Sequence, residues 1–338
     1  MIRFGKPSGP LLAQKGSFFS NNDELQEKVK RICAIYAKQE SRNACKNCTS
    51  PISGTTFSKL GVEYSLCANC GHLNGRHEDT DEFCRAVYTD DGGAAYAITY
   101  SSSDRSAYES RVRAIYVPKA EFLFEVLGTK NLRFADMGAG SGYFVAALLQ
   151  GGATDVVGYE VSETQLALAR QMSGGEFVLH SLDAISDVVS TVNAEVISFI
   201  GVLEHLRNPR EALAAVRTNP SIKHIYFSVP MFSPTVCLEA VFPDVFHRHL
   251  SAGHTHLYTE SSIDWFCKEF GFKRVGEWWF GTDIVDLYRD VIVSLQKKKE
   301  VAGLADTWHK TFCETIDSLQ LELDKRKLSS EVHMVLSK

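Results

Sequence analysis

From residue 132 to residue 229, short apolar runs alternate with helix-patterned segments, and this alternation restricts the fold more than any other feature of the chain. The runs are LRFADM (132–137), DVVGYEV (155–161), FVLHSL (177–182), EVISFIG (195–201) and KHIYFSV (223–229). GYFVAALLQ, SETQLALARQM, DAISDVVSTV and NPREALAAVRTN lie between them. Strands joined through helices run parallel, and a parallel sheet needs apolar cover on both faces. The spacing therefore predicts an α/β domain. Two later strand candidates, FKRVGEWWF (272–280) and EVHMVLS (331–337), flank an insertion at about 283–329. Inside it Trp308, Phe312, Ile316, Leu319 and Leu323 make one helical stripe. It reads as a helix packed on its own domain, with a homodimer interface as the alternative.

At 338 residues the chain exceeds the usual size of one hydrophobic core, so a second, smaller unit is expected. Residues 1–20 read as a loose arm. Leu25, Val29, Ile32 and Tyr36 recur at helical spacing and predict a helix over 23–39. The boundaries that follow are an arm and helix at 1–40, a cysteine-bearing unit at 41–88, a linker and helical segment at 89–130, and the α/β domain at 131–338. Pro118 reads as a break in the helical pattern of 105–128. A net charge of −5 gives no footprint for nucleic acid. The opening MIRFGKPSGPLLAQKG lacks the apolar core of a signal peptide, and no run approaches a membrane span. A cytoplasmic protein with no membrane partner is the expectation.

Four of nine cysteines form two tight pairs, Cys45-x2-Cys48 and Cys67-x2-Cys70, separated by 18 residues. Each pair aims two thiolates at one point, and two pairs close a tetrahedron, so this spacing reads as a structural zinc ribbon. The rival is a redox dithiol pair. His72 and His77 lie close enough to be substitute ligands, but they read as solvated loop residues. Cys33, Cys84, Cys237, Cys267 and Cys313 read as small buried apolar side chains.

FADMGAGSGYF (134–144) follows the first strand and opens a helix. Such a loop folds tightly, lets a ligand approach the backbone, and aims helix N-terminal N–H groups at it. Glu160 ends the next strand, 18 residues beyond Gly142, near the spacing at which an acidic side chain meets ribose hydroxyls. The nicotinamide fingerprint G-x-G-x-x-G would place the third glycine one residue later. D-x-G-x-G-x-G followed by an acidic residue instead resembles the class I S-adenosylmethionine-dependent methyltransferases. Ser181-Leu182-Asp183 after the third strand and Gly201-Val-Leu-Glu204-His205-Leu after the fourth are similar to that family's later motifs. The resemblance implies a Rossmann-like seven-stranded sheet ending in a reversed hairpin, with helices on both faces. It also implies S-adenosylmethionine as cofactor. Asp136 and the loop (Gly138, Ala139, Gly140, Gly142, Tyr143) would face its amino-acid end, Glu160 and Val161 the ribose, Leu182 and Asp183 the adenine, and Gly201 the methyl donor.

The order ribbon, cofactor domain, C-terminal extension resembles the zinc-containing sugar C-methyltransferases. Tyr96-x3-Tyr100-Ser-Ser-Ser103 is similar to their tyrosine-serine segment, which adds Tyr100 to the cofactor site. Gly253-His-Thr-His-Leu-Tyr258 resembles the H-x-H-x-x-Y stretch of their substrate pocket. The resemblance implies a sugar or nucleotide-linked sugar as acceptor, methylated on oxygen or carbon. Histidine titrates near neutral pH and is the usual base for removing the acceptor's proton. Glu204, His205, His254, His256 and Tyr258 are the candidate catalytic residues, with His247 and His249 secondary. Whether such histidines converge on a metal depends on geometry that spacing leaves open. Two other functions fit the same motifs: an RNA or protein methyltransferase gripping its target with the ribbon, and a cofactor-binding scaffold without catalysis.

Overall fold

Eight strands form the main sheet of the computed structural model, one more than the seven expected. The structure describes residues 1–14, 17–88, 104–251 and 253–338. In chain order the strands are β1 (Ile2–Phe4), β2 (Phe57–Lys59), β3 (Val62–Leu66), β4 (Leu73–Gly75), β5 (Arg133–Met137) and β6 (Asp155–Glu160). They continue as β7 (Glu176–Leu179), β8 (Val196–Ile200), β9 (His224–Pro230), β10 (His256–Leu257), β11 (Lys273–Phe280) and β12 (Glu331–Ser337). The main sheet runs β1-β11-β12-β9-β8-β5-β6-β7. Neighbours from β9 to β7 are parallel, whereas β12 lies antiparallel to both β9 and β11. The chain leaves β5 toward β6 and later returns on its other side as β8. That reversal opens a crevice at the carboxyl ends of the strands, where α/β sheets bind ligands.

The eighth strand comes from the segment expected to be a loose arm. Ile2, Arg3 and Phe4 pair in parallel with Glu277, Trp278 and Trp279. The Trp278 indole N–H donates to the Gly5 carbonyl at 2.8 Å. The Arg3 guanidinium lies 5.2 Å from the ring centres of both Phe122 and Trp278. β1 thus covers the edge of β11, which would otherwise present unpaired backbone groups. Three residues are too few to show a period, which is why the pattern reads as irregular.

Pro118 does not break its helix. Helical turns run from Arg105–Arg111 through a wider π-type stretch, Val112–Tyr116, into Val117–Leu127. The proline falls in the first turn of the last piece, where its missing N–H costs least. The insertion is also divided differently from its stripe. Leu304–Phe312 and Ile316–Lys325 are separate helices joined by a tight turn at Cys313–Thr315. Ile316 is buried with Val285, Tyr288 and Ile292 of the helix Asp283–Gln296, whereas Leu319 is exposed. Cys237 is exposed and Cys313 half-buried, so two of the five scattered cysteines are not core residues.

β2, β3 and β4 form an antiparallel sheet whose fourth strand is β10, from the far end of the α/β domain. One apolar cluster joins Val29, Cys33 and Tyr36 of the helix Asn22–Tyr36 to Val62, Tyr64 and Leu73 of this sheet and to Phe246, Leu250 and Leu257. The cysteine-bearing unit is therefore packed into the molecule rather than tethered to it. Among the described residues no helix is long and apolar enough to cross a membrane.

Candidate active site

β5 delivers Asp136 to the crevice, and the three glycines after it hold the backbone in the left-handed region: φ is +66° at Gly138, +54° at Gly140 and +76° at Gly142. A Cβ on Gly138 would lie 2.7 Å from a methyl of Val202, so a side chain is excluded by contact as well as by conformation. Gly142 serves another need. It starts the helix Tyr143–Gln150 and packs against Phe177 and Ala169, without reaching the cavity. The Glu160 carboxylate accepts N–H bonds from Gly140 (2.7 Å), Val161 (2.8 Å) and Ser162 (2.8 Å), which fixes it against the loop. Ser198 donates to Asp136 at 2.6 Å. Burial pushes the Asp136 carboxyl up to about 7; the Ser198 bond pulls it down, Glu160 pushes it up and Lys119 pulls it down. Tyr143 is stacked between Tyr108 and Tyr116, with centroids 4.5 and 5.3 Å away.

Most of the loop and its neighbours line a cavity of about 550 Å³. Of the residues expected at the cofactor, Asp136, Gly138, Ala139, Gly140, Tyr143, Glu160, Val161, Leu182 and Gly201 reach its wall. Asp183 does not: its side chain is exposed and faces Arg207 at 3.4 Å. The apolar wall beside Leu182 comes from Ile185 instead. Tyr100, together with Tyr96 and Ser101 to Ser103, lies outside the described residues.

Glu204, His205 and His254 line the same cavity, whereas His256 and Tyr258 do not. His256 sits in β10 against the small sheet, its Nδ1 2.8 Å from Nε2 of His72. Tyr258 is buried against the His72 and Phe266 rings. His72 is therefore no solvated loop residue; it is fully buried and held down to about 3, chiefly by desolvation. His77 is half-buried, its Nδ1–H donating to the Gln39 carbonyl at 2.9 Å. His249 lines the cavity and donates from Nε2 to Met231 O (2.8 Å), whereas His247 faces Asp290 at 2.9 Å in a buried pair outside it.

A carbonyl can only accept, so the Gly253 oxygen 2.7 Å from His205 Nδ1 places the ring proton on that nitrogen, with the Tyr88 hydroxyl 2.9 Å away as its second neighbour. The His249 carbonyl, 3.0 Å from His254 Nδ1, does the same there. The unprotonated nitrogen of each ring is then Nε2. Burial holds His205 down to about 4 and His254 well below its ordinary value, so both are neutral at pH 7. Burial likewise pushes Glu204 up to about 8. The cysteines form a separate cluster outside the cavity. Cys45 and Cys70 sulfurs are 3.7 Å apart, Cys48 and Cys67 sulfurs 3.5 Å apart, and all four lie within 4.8 Å of one another. Four sulfurs about 2.3 Å from a central zinc stand about 3.8 Å apart, so the set fits that ion. Asn47 and Asn74 aim side-chain N–H groups at Cys70 and Cys45.

Several lining residues escape sequence reasoning. Lys6, Tyr88, Lys119, Arg248, Arg289 and Glu331 reach the wall from segments scattered along the chain and carry no motif. Ser198, which holds Asp136 from behind without lining the cavity, had a signal, as a polar residue at the centre of an apolar strand pattern.

The model of a family described as "Methyltransferase domain" matches residues 108–276, half of the chain. Solved structures similar to the chain include magnesium protoporphyrin IX methyltransferase from Synechocystis PCC 6803 with bound SAH. It shares 14% identity at a TM-score of 0.45, over 60% of this chain and 94% of that one. The plantazolicin methyltransferase BpumL in complex with SAH shares 14% identity at a TM-score of 0.45, over 75% and 93%. A SAM dependent methyltransferase from Archaeoglobus fulgidus shares 13% at a TM-score of 0.40, over 69% and 99%. No curated protein matches the chain in sequence. The chain belongs to the methyltransferase-domain family and is, by class, an S-adenosylmethionine-dependent methyltransferase.

Proposed function

We propose that the acceptor is a small polar molecule of the sugar or nucleotide-linked sugar class. The observation that carries this reading is the composition of one cavity. The glycine loop, Asp136 and Glu160 lie in one part of its wall, and Lys6, Lys119, Arg248 and Arg289 contribute to the rest. When bound, the cofactor supplies a methyl group on a sulfonium. Glu160, held by three backbone N–H groups, is oriented for ribose hydroxyls, and Asp136 for the amino group. Leu182 and Ile185 offer the adenine an apolar wall. The cationic side chains suit the phosphates of a nucleotide-linked sugar, which Arg and Lys bind through charge-assisted hydrogen bonds. Glu204, His205 and His254 face the acceptor in the same cavity and assist the loss of its proton. Alignment within the cavity contributes much of the acceleration, on the order of 7–11 kcal/mol in favourable cases. The four cysteines hold a zinc with no open position, which acts through folding alone.

Calorimetry with S-adenosylmethionine, followed by mass spectrometry of a nucleotide-sugar panel incubated with labelled donor, tests the reading. We expect cofactor binding and one added methyl group on a nucleotide-linked sugar. Folded, zinc-replete protein that methylates only uncharged acceptors or macromolecules would overturn it.

A further inference from the structure

Glu204, His205 and His254 come from two places in the chain and meet in the cavity. A carboxylate oxygen and one ring nitrogen of each histidine all lie within 4.8 Å of one another. Glu204 follows β8 in a tight helical turn, Leu203–His205, and His254 precedes β10. Three features make this more than a chance grouping. The Glu204 side chain is 3% exposed, and its Oε2 has no hydrogen-bond partner among the described residues. Such an oxygen is costly to bury unless something supplies positive charge or a proton. The charges of Lys119 and Arg248 act on Glu204, but neither hydrogen-bonds that oxygen, and Lys119 pairs with Glu331 at 3.8 Å. Both histidines donate Nδ1–H to backbone carbonyls, which sets the tautomer a metal-binding imidazole needs. Finally, all three residues line a cavity large enough to leave further coordination positions to a ligand.

We propose that Glu204, His205 and His254 bind a first-row divalent cation, which takes hydroxyl oxygens of the acceptor in its remaining positions. Two imidazoles and one carboxylate suit such ions and leave the shell incomplete. Ligand atoms about 2.1 Å from one ion stand roughly 3.0–3.5 Å apart, so closure needs a movement of about 1 Å, which side-chain rotation supplies. A hydroxyl coordinated there loses its proton more readily: the O–H bond breaks, the electron pair stays on oxygen, and the proton passes to cavity water. This role rests on the function proposed above, whereas binding of the cation does not.

The test is a titration of zinc-replete protein with Mn²⁺, followed by electron paramagnetic resonance. Manganese prefers nitrogen and oxygen ligands, so the cysteines keep their zinc. We expect one Mn²⁺ per chain. Glu204→Gln and His254→Gln should each weaken binding more than about tenfold at unchanged zinc content. Wild-type protein that takes up no Mn²⁺, or variants that bind it as well as wild type, would overturn the proposal. Should Glu204→Gln fail to fold, His254→Gln, at a half-buried position, decides the matter. Calorimetry with S-adenosylmethionine separates the two claims. Protein that binds the cofactor but no Mn²⁺ sinks the cation alone, and nucleotide-sugar methylation absent despite Mn²⁺ binding sinks the acceptor reading alone.

Discussion

The molecule carries two sets of metal-type ligands that differ in composition, packing and place. Cys45, Cys48, Cys67 and Cys70 are all buried outside the cavity, four donors of one kind supported by two asparagines. Glu204, His205 and His254 are three mixed donors inside it, with one carboxylate oxygen left unpartnered. Four donors saturate a tetrahedral ion, whereas three leave room for something else. On the readings proposed above, the first set holds the chain and the second holds a ligand.

Removing one donor from each set should break the comparison most directly. Cys67→Ser should produce the largest change: loss of zinc and a melting temperature lower by more than about 10 °C, given the roughly 10–16 kcal/mol that structural zinc contributes in small peptides. Calorimetry with a zinc count reads it, and an unchanged transition would mean that the cysteines hold no structural ion. Glu204→Gln should do the opposite. Methyl transfer falls by about 100-fold or more while the melting temperature stays within a few degrees. A large drop in melting temperature would make Glu204 a packing residue.

Asp136 sharpens the comparison from the cofactor side. The folded chain keeps its proton up to about pH 7, whereas the unfolded chain gives it up near 3.8. Its contribution to stability therefore falls as pH rises from about 4 to 7 and is level outside that window. Asp136→Asn should remove roughly 2–4 kcal/mol of that slope, measured by denaturant midpoints at pH 5 and pH 8. Equal slopes in both proteins would place the burial cost elsewhere. The smallest effect is expected at His256→Ala, which leaves Nε2 of His72 without its partner while Nδ1 keeps Ser262. It should cost about 1–3 kcal/mol of stability and spare turnover, whereas His254→Ala should spare stability and lower turnover. Equal losses of turnover would return His256 to the reacting site.

What could be read from sequence follows from how far apart the cooperating residues lie. The alternation of 132–229 shows five strands and their order of use, because apolar periodicity is local. Cys45 to Cys70 is legible for the same reason. Glu204 and His205 stand in a motif, but their meeting with His254 depends on the tertiary placement of that residue, which no spacing reveals. Asp183 shows the converse. Its place in the motif is right, yet the turn Leu182–Ala184 points Leu182 inward and the carboxylate outward. Lys6 had no signal, because an edge strand of three residues has no period.

β10 is two residues long and bonded on both sides. His256 and Leu257 pair with β4 of the small sheet, while Tyr258 donates to Pro230 at the end of β9 and accepts from Phe232. The partners His72 and His256 are 184 residues apart in the chain. During synthesis the cysteines emerge early, yet their sheet lacks its last strand until most of the α/β domain has been made. The small sheet therefore cannot be completed before its fourth strand is made, and that strand lies just after His254.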